Sequence, residues 1–281
     1  MGTEAVWREV LRSWNFEAAA LVLTVELLYL AVTGPLRARY EWGPPVPPSK
    51  VVFFSLGMLA GFASEASPLH LLSEQYLFSA HMVQHILLTM VMVPLMILGT
   101  PDWLLRPVLA WKPAAAVMRF CTHPIPALIL FNSVYTLWHM PYLYEAALWN
   151  HNVHILEHVL MELTAAFMWW PLTSPMREYP RLPEPAQILY VFFMSVAQIG
   201  VFAVVTFSDT VLYQFYQSAP LLLGISLQAD QQLAGVVMKV GGMLIFLFVV
   251  TVVFFRWARR EGVFGSPARG LPDRGLSEGR S

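Results

Sequence analysis

The stretch "LAGVVMKVGGMLIFLFVVTVVFFRW", residues 233–257, carries a single charge, Lys239, before Arg256. It is longer than the roughly 20 residues a helix needs to cross about 30 Å of hydrocarbon. It lacks the period-two alternation of a barrel strand, and lipid offers no partner to an unpaired backbone group, so a helix is the way through. Outward from it, six more apolar runs of similar kind fall at 16–36, 51–67, 79–98, 125–144, 151–172 and 185–207. Over 281 residues the chain is 57% hydrophobic and 12% charged, with mean hydropathy +0.56, more apolar surface than one soluble core absorbs. The expected fold is all-α: a polytopic membrane protein, a seven-transmembrane helix bundle over 1–258. The Gly-, Pro-, Ser- and Arg-rich stretch 259–281 is expected to be a disordered tail.

Net charge is -1, which leaves no global basic surface for nucleic acid. Arginine and lysine alternate from one connection to the next: Arg37, Arg39 and Lys50 follow the first run, Arg106, Lys112 and Arg119 the third, Arg177 and Arg181 the fifth, and Arg256, Arg259 and Arg260 the seventh. The connections after the second, fourth and sixth have none. Because basic loops stay cytoplasmic, this pattern predicts an outside N-terminus and a cytoplasmic C-terminus. No A-x-A site follows the first run and Glu26 interrupts it, so it is read as a span and not as a cleaved signal peptide. Pro94, Pro141 and Pro171 predict kinks or exits near helix ends.

That topology sends seven of the eight histidines, all but His123, toward the outer face. His81 and His85 are four apart and share a helix face, with Met82 on its flank. His151, His154, His158 and Met161 follow at intervals of three, four and three along one stripe, with Glu157 beside it. His139 and Met140 arrive at the same depth from a third helix. Imidazole and thioether without thiolate favour copper, as Cu(I); imidazole with carboxylate suits zinc. The single cysteine, Cys121, excludes both an intramolecular disulfide and a CxxC motif. Glu74, Glu145, Asp209 and Asp230 give the outer loops an acidic mouth that attracts cations.

Other readings compete. The string "HILEH" (154–158) fits H-x-x-E-H, in which Glu157 would be the general base of a membrane zinc metalloprotease. Imidazoles on neighbouring helices could instead ligate haem in a membrane electron carrier. The plain alternative is an interfacial belt of histidines with methionines as core filler. Glu26, Glu162 and Lys239 lie inside predicted spans, and Lys239 is expected to pair with Glu162 or Glu26.

Five separated strings, "SPLHLLSEQYLFSAHMVQHILL" (67–88), "TPDWLLRP" (100–107), "HPIPALILFNSVYTLWHMPYLYEAAL" (123–148), "HNVHILEHVLMELTAAFMWWPL" (151–172) and "DQQLAGVVMKVGG" (230–242), stand in this order. Together they resemble the multi-span CtaG family of bacterial assembly factors for caa-type cytochrome c oxidase. The resemblance implies a metallochaperone of the bacterial cell membrane and not an enzyme. It would take copper from a donor on the outer side and deliver it to an oxidase subunit. By motif it points to His81, His85, His139, His151, His154 and His158, and adds Asp230, which opens "DQQ", and Met238. After "SPL", where relatives often carry Asp, this chain has His70, a candidate extra ligand.

Overall fold

A computed structural model describes residues 3–263, and every regular element among them is helical. The helices are α1 (Thr3–Arg12), α2 (Phe16–Ala31), α3 (Pro48–Gly61), α4 (Pro68–Gln75), α5 (Phe78–Gly99), α6 (Asp102–Leu109), α7 (Lys112–Cys121), α8 (Pro124–Trp138), α9 (Pro141–Trp149), α10 (His151–Thr173), α11 (Glu184–Phe207) and α12 (Leu227–Arg260). Their starts follow local chemistry. Asn15, Ser67, Asn150 and Ser226 accept backbone N–H groups of the first turns of α2, α4, α10 and α12. Proline opens α3, α4, α8 and α9, where its missing donor costs nothing.

Three widened π turns interrupt the helices. The turn Val32–Leu36 contains Pro35, Phe62–Ala66 ends two residues before Pro68, and Ile86–Met92 ends two residues before Pro94. At Pro35 and Pro94 the ring would collide with the carbonyl four residues back, and an expanded turn makes room for it, whereas the chain leaves the helix at the extended Ser67 before Pro68 opens α4. Two of these turns adjoin the histidines: one carries Glu65, and the other starts directly after His85.

By length and composition, four helices among the described residues can cross a membrane, and up to six if each of two bent pairs forms one span. Six of the seven expected runs each follow one helix or a helix with its π turn, while the run 125–144 is divided between α8 and α9 at His139 and Met140. The one outside the four-to-six count is α10, which at 23 residues is long enough but carries three histidines, Glu157 and Glu162. The tail expected from 259 begins inside α12, and residues 264–281 lie outside the described residues.

Large apolar side chains such as Leu27, Phe192, Leu247 and Phe248 are exposed, while His81, Gln84, Glu157 and Gln231 are buried. That inverted pattern is what a lipid-facing bundle with a polar interior requires. Helix α5 is central, packed against α3, α10 and α12, with α8 and α9 against α10 and α11 against α12. At one end of the bundle the basic connections meet. Arg106 pairs with Asp102 and with Glu178 beyond α10, while Arg256 and Arg260 at the end of α12 pair with Glu184 at the start of α11. The histidines other than His123 occupy the other end. The expected Lys239 ion pair does not form: Lys239 faces α11, where its Nζ donates to the Ser195 carbonyl at 2.8 Å, and Glu26 accepts instead from Ser55 Oγ at 2.6 Å. The Ser195 carbonyl thus takes the place of a counter-ion for Lys239, while Glu26 has a single hydroxyl donor and its Oε2 is buried without a partner.

Candidate metal centre

The site is built on the first two turns of α5. The free N–H groups at its start are capped from far along the chain: Asp230 Oδ2, on α12, accepts Phe78 N at 2.8 Å and Ser79 N at 3.4 Å, and Oδ1 accepts the Ser79 hydroxyl. The cap anchors the helix one turn before His81. His81 and His85 lie one turn apart on one face, with Nε2 atoms 2.6 Å apart and rings 4.4 Å apart. Two protonated Nε2 atoms could not approach so closely, so at least one presents a lone pair. Glu157, on α10 and 2% exposed, brings Oε1 to 3.6 Å from His85 Nε2. Ligand atoms of His81, His85 and Glu157 all lie within 4.8 Å of one another, the one such group among the described residues.

Around this inner group lies a second layer. His154 Nδ1 is 3.0 Å from Glu74 Oε1, and His158 Nδ1 is 3.6 Å from Glu65 Oε1. His70 stands between the two carboxylates, its Nε2 3.3 Å from Glu74 and its Nδ1 3.6 Å from Glu65. Gln84, one residue before His85, donates to Glu65 at 2.8 Å and accepts from Ser73. The two layers are joined by rings: His154 and His158 are 4.4 Å apart, and His158 and His85 5.4 Å.

Tyrosines close the inner group from the side of the loop before α12. Tyr144 stands edge-on to His81 at 5.0 Å and donates to Tyr216 at 2.7 Å, which in turn donates to the Ser73 carbonyl. Tyr213 donates to the His139 carbonyl at 2.8 Å. Burial pushes the Tyr213 and Tyr216 phenols well up from their ordinary value, so both remain protonated donors.

The expected ligands divide sharply. His81 and His85 converge with Glu157, and His154 and His158 lie in the adjoining layer. His139 is buried, but its Nδ1 contacts the Tyr135 carbonyl at 2.7 Å and its ring lies against Tyr135, outside the inner triad. His151 is exposed at the rim of a cleft. Met82, Met161 and Met238 are buried in the apolar core, whereas Met140 is half exposed, because Pro141 starts a new helix and turns Met140 outward. Asp230 caps α5 with both oxygens. In H-x-x-E-H, Glu157 turns toward α5, and its flanking imidazoles face other carboxylates, so the three do not gather as a protease site would. Sequence reasoning set Glu157 beside the histidine stripe and gave it a role only as a general base, and it gave Glu65 no part in the site. The signal was present in the spacing of Glu157, three residues after His154 and four before Met161, which places it on the same stripe. Nothing in the sequence marked Tyr144, Tyr213 or Tyr216.

The family described as cytochrome c oxidase caa3 assembly factor matches residues 27–260. Curated relatives include an uncharacterized protein of Mycobacterium leprae, 25% identical over 266 residues that cover 88% of this chain and 40% of that protein. Uncharacterized proteins of Mycobacterium bovis and Mycobacterium tuberculosis are each 28% identical over 274 residues, covering 90% of this chain and 40% of theirs. The chain thus spans about two fifths of the length of the curated relatives it matches. No solved structure matches it. With 27–260 matched, from within α2 to the end of α12, the chain belongs to the cytochrome c oxidase caa3 assembly factor family.

Proposed function

We propose that this chain serves oxidase assembly in the bacterial cell membrane by holding a copper ion at His81, His85 and Glu157 and passing it to an oxidase subunit. The observation that carries this reading is the 2.6 Å approach of two buried imidazole nitrogens beside a buried carboxylate. Several nitrogens around it are buried without a hydrogen-bond partner: His81 Nδ1, His85 Nδ1, His154 Nε2 and His158 Nε2. Buried polar atoms are normally satisfied, and a cluster that leaves this many lone pairs and donors unmatched suits an ion. Two imidazoles and one carboxylate accommodate copper, and zinc follows as the competing ion. So small a donor set leaves coordination positions open, which release by ligand exchange demands. The alternation of basic connections supports an outside amino end and, with it, a histidine end on the outer side, where a copper donor would load it.

Detergent-purified chain should bind one equivalent of Cu(I) at this group by elemental analysis and competition with a chromophoric chelator. His81→Ala and His85→Ala should each weaken that binding by more than the ~10–100-fold that losing an outer-shell partner costs. The same variants, as sole copy in cells, should lower oxidase activity. Unchanged copper affinity and unchanged oxidase activity in both would end the reading.

A further inference from the structure

Away from the histidines, a groove runs between α5, α10 and α12 at the arginine end, with the exposed side chains of Leu244 and Phe248 on its rim. It encloses about 480 Å³, and its walls are apolar, with Leu95 and Leu98 from α5, Leu172 from α10 and Val249 from α12. From Leu244 to Arg256 it follows α12 for about 18 Å at roughly 1.5 Å per residue, close to the roughly 15 Å of one leaflet's hydrocarbon. Spread over that length, the volume is that of a channel roughly 6 Å across, against about 10 Å for a helix with its side chains. A hydrocarbon chain fits it, and a partner's helix does not.

The groove ends on charge of one sign. Among the described residues its lining includes Arg181, from the connection between α10 and α11, and Arg256, but no Asp or Glu. Gln187 Oε1 accepts from Arg256 Nη2 at 3.0 Å and keeps that head at the groove. The carboxylate that pairs with Arg256, Glu184, is shared with Arg260. Arg181 donates from Nε to the Ser174 carbonyl at 2.8 Å and, among the described residues, has no other hydrogen bond and no ion pair, which leaves its Nη donors open. Desolvation, and after it the charge of Arg256, push the Arg181 guanidinium down from its ordinary value, as two cations set near each other without an anion require.

We infer that this groove binds one anionic phospholipid of the leaflet at the arginine end, with an acyl chain laid along α12 and the phosphate between Arg181 and Arg256. Guanidinium forks hold phosphate oxygens by charge-assisted hydrogen bonds, and basic pockets between spanning helices are where anionic headgroups settle. So seated, the lipid joins the connection between α10 and α11 to the end of α12, and its binding does not depend on the reading of the histidine end.

The test titrates lipid-stripped full chain in detergent with dioleoyl phosphatidylglycerol or dioleoyl phosphatidylcholine and counts bound lipid by native mass spectrometry. Wild type should hold one phosphatidylglycerol and bind phosphatidylcholine at least roughly tenfold more weakly, since each basic side chain near a headgroup is worth about fivefold. Arg181→Gln should weaken phosphatidylglycerol about fivefold and narrow that preference, whereas Arg177→Gln, at an exposed residue outside the groove, should change neither. Val252→Trp, at the exposed edge of the groove, should weaken both lipids by obstructing the chain. Equal binding of the two lipids overturns the proposal, as does unchanged affinity in Arg181→Gln or an equal loss in Arg177→Gln, the sign of diffuse attraction. Displacement of phosphatidylglycerol by inorganic phosphate at matched ionic strength overturns it too, because the site would then hold an anion and no chain. Full binding in Val252→Trp puts the chain elsewhere and has the same consequence. Should Arg181→Gln not fold, the comparison of the two lipids and Val252→Trp decide.

Discussion

The two ends of the bundle are held by opposite means. At the histidine end, helix starts and side chains are fixed by long-range polar contacts: Asp230 on the first turn of α5, Tyr216 on the Ser73 carbonyl, Gln84 between Ser73 and Glu65. At the arginine end, α2, α3 and α5 come together by close backbone approach at Gly99, with Tyr29 donating to its carbonyl and Lys50 to that of Thr100, while most of the ion pairs there face solvent. The difference teaches where specificity and stability reside. Polar contacts place the histidines, and close packing holds the frame. The largest expected effect therefore belongs to packing. A Cβ at Gly99 would meet Phe54 N at 2.5 Å, Phe54 Cβ at 2.6 Å and the Lys50 carbonyl at 2.7 Å, atoms that move only if the helices separate. Gly99→Ala should cost about 3 kcal/mol, read as a lower melting temperature in detergent, with metal bound per folded chain unchanged. Gly61→Ala, on the same helix pair, meets the end of the flexible Met92 side chain at 2.7 Å and should cost under ~1 kcal/mol. Equal losses at the two glycines would mean that backbone approach is not what holds this end.

The next effect belongs to the tertiary cap. Asp230→Ala leaves Phe78 N, Ser79 N and the Ser79 hydroxyl without their acceptor in a buried setting, for about 1–3 kcal/mol. Unlike Gly99→Ala, it should also weaken metal binding roughly tenfold, as loss of an outer-shell partner does, because His81 and His85 ride on the helix it anchors. Asp230→Asn keeps one acceptor and should fall between. A stable Asp230→Ala protein with full metal affinity would show that α5 is placed by packing alone at both ends.

How far such contacts can be read from sequence follows the same division. Periodicity and apolar length mark the helices and put His81 with His85 and His154 with His158, because both properties are local to one segment. Two of the π turns are legible afterwards from Pro35 and Pro94, yet a proline alone does not say whether a helix kinks, widens or, as at Pro68, starts anew. What escapes is register between helices. Lys239 finds Ser195 and not Glu162, Glu157 joins α5 and not its own flanking imidazoles, and Asp230 caps a helix some 150 residues away; each outcome depends on how one helix is rotated against another. Met140 is turned outward for a neighbouring reason: Pro141 starts a new helix there.

The smallest effect sharpens the comparison from the other side. Arg106 contacts Glu178 at 2.8 Å and Asp102 at 3.0 Å, geometry as good as any in the histidine end, and its hydrogen bond holds the Asp102 carboxyl below the usual carboxylate range. The pair is therefore intact at neutral pH and opens only as acid protonates Asp102. All three side chains are about half exposed, at 52%, 48% and 42%, so water competes for every contact and the ordering of long side chains offsets the attraction. Arg106→Ala should leave the melting temperature and the metal content where they are. Arg256→Ala should do more, since its partner Glu184 is 12% exposed and its other contact is the buried Gln187 at 3.0 Å. If instead Arg106→Ala melts the protein as Asp230→Ala does, distance and not burial sets the worth of a polar contact here, and the contrast between the two ends fails.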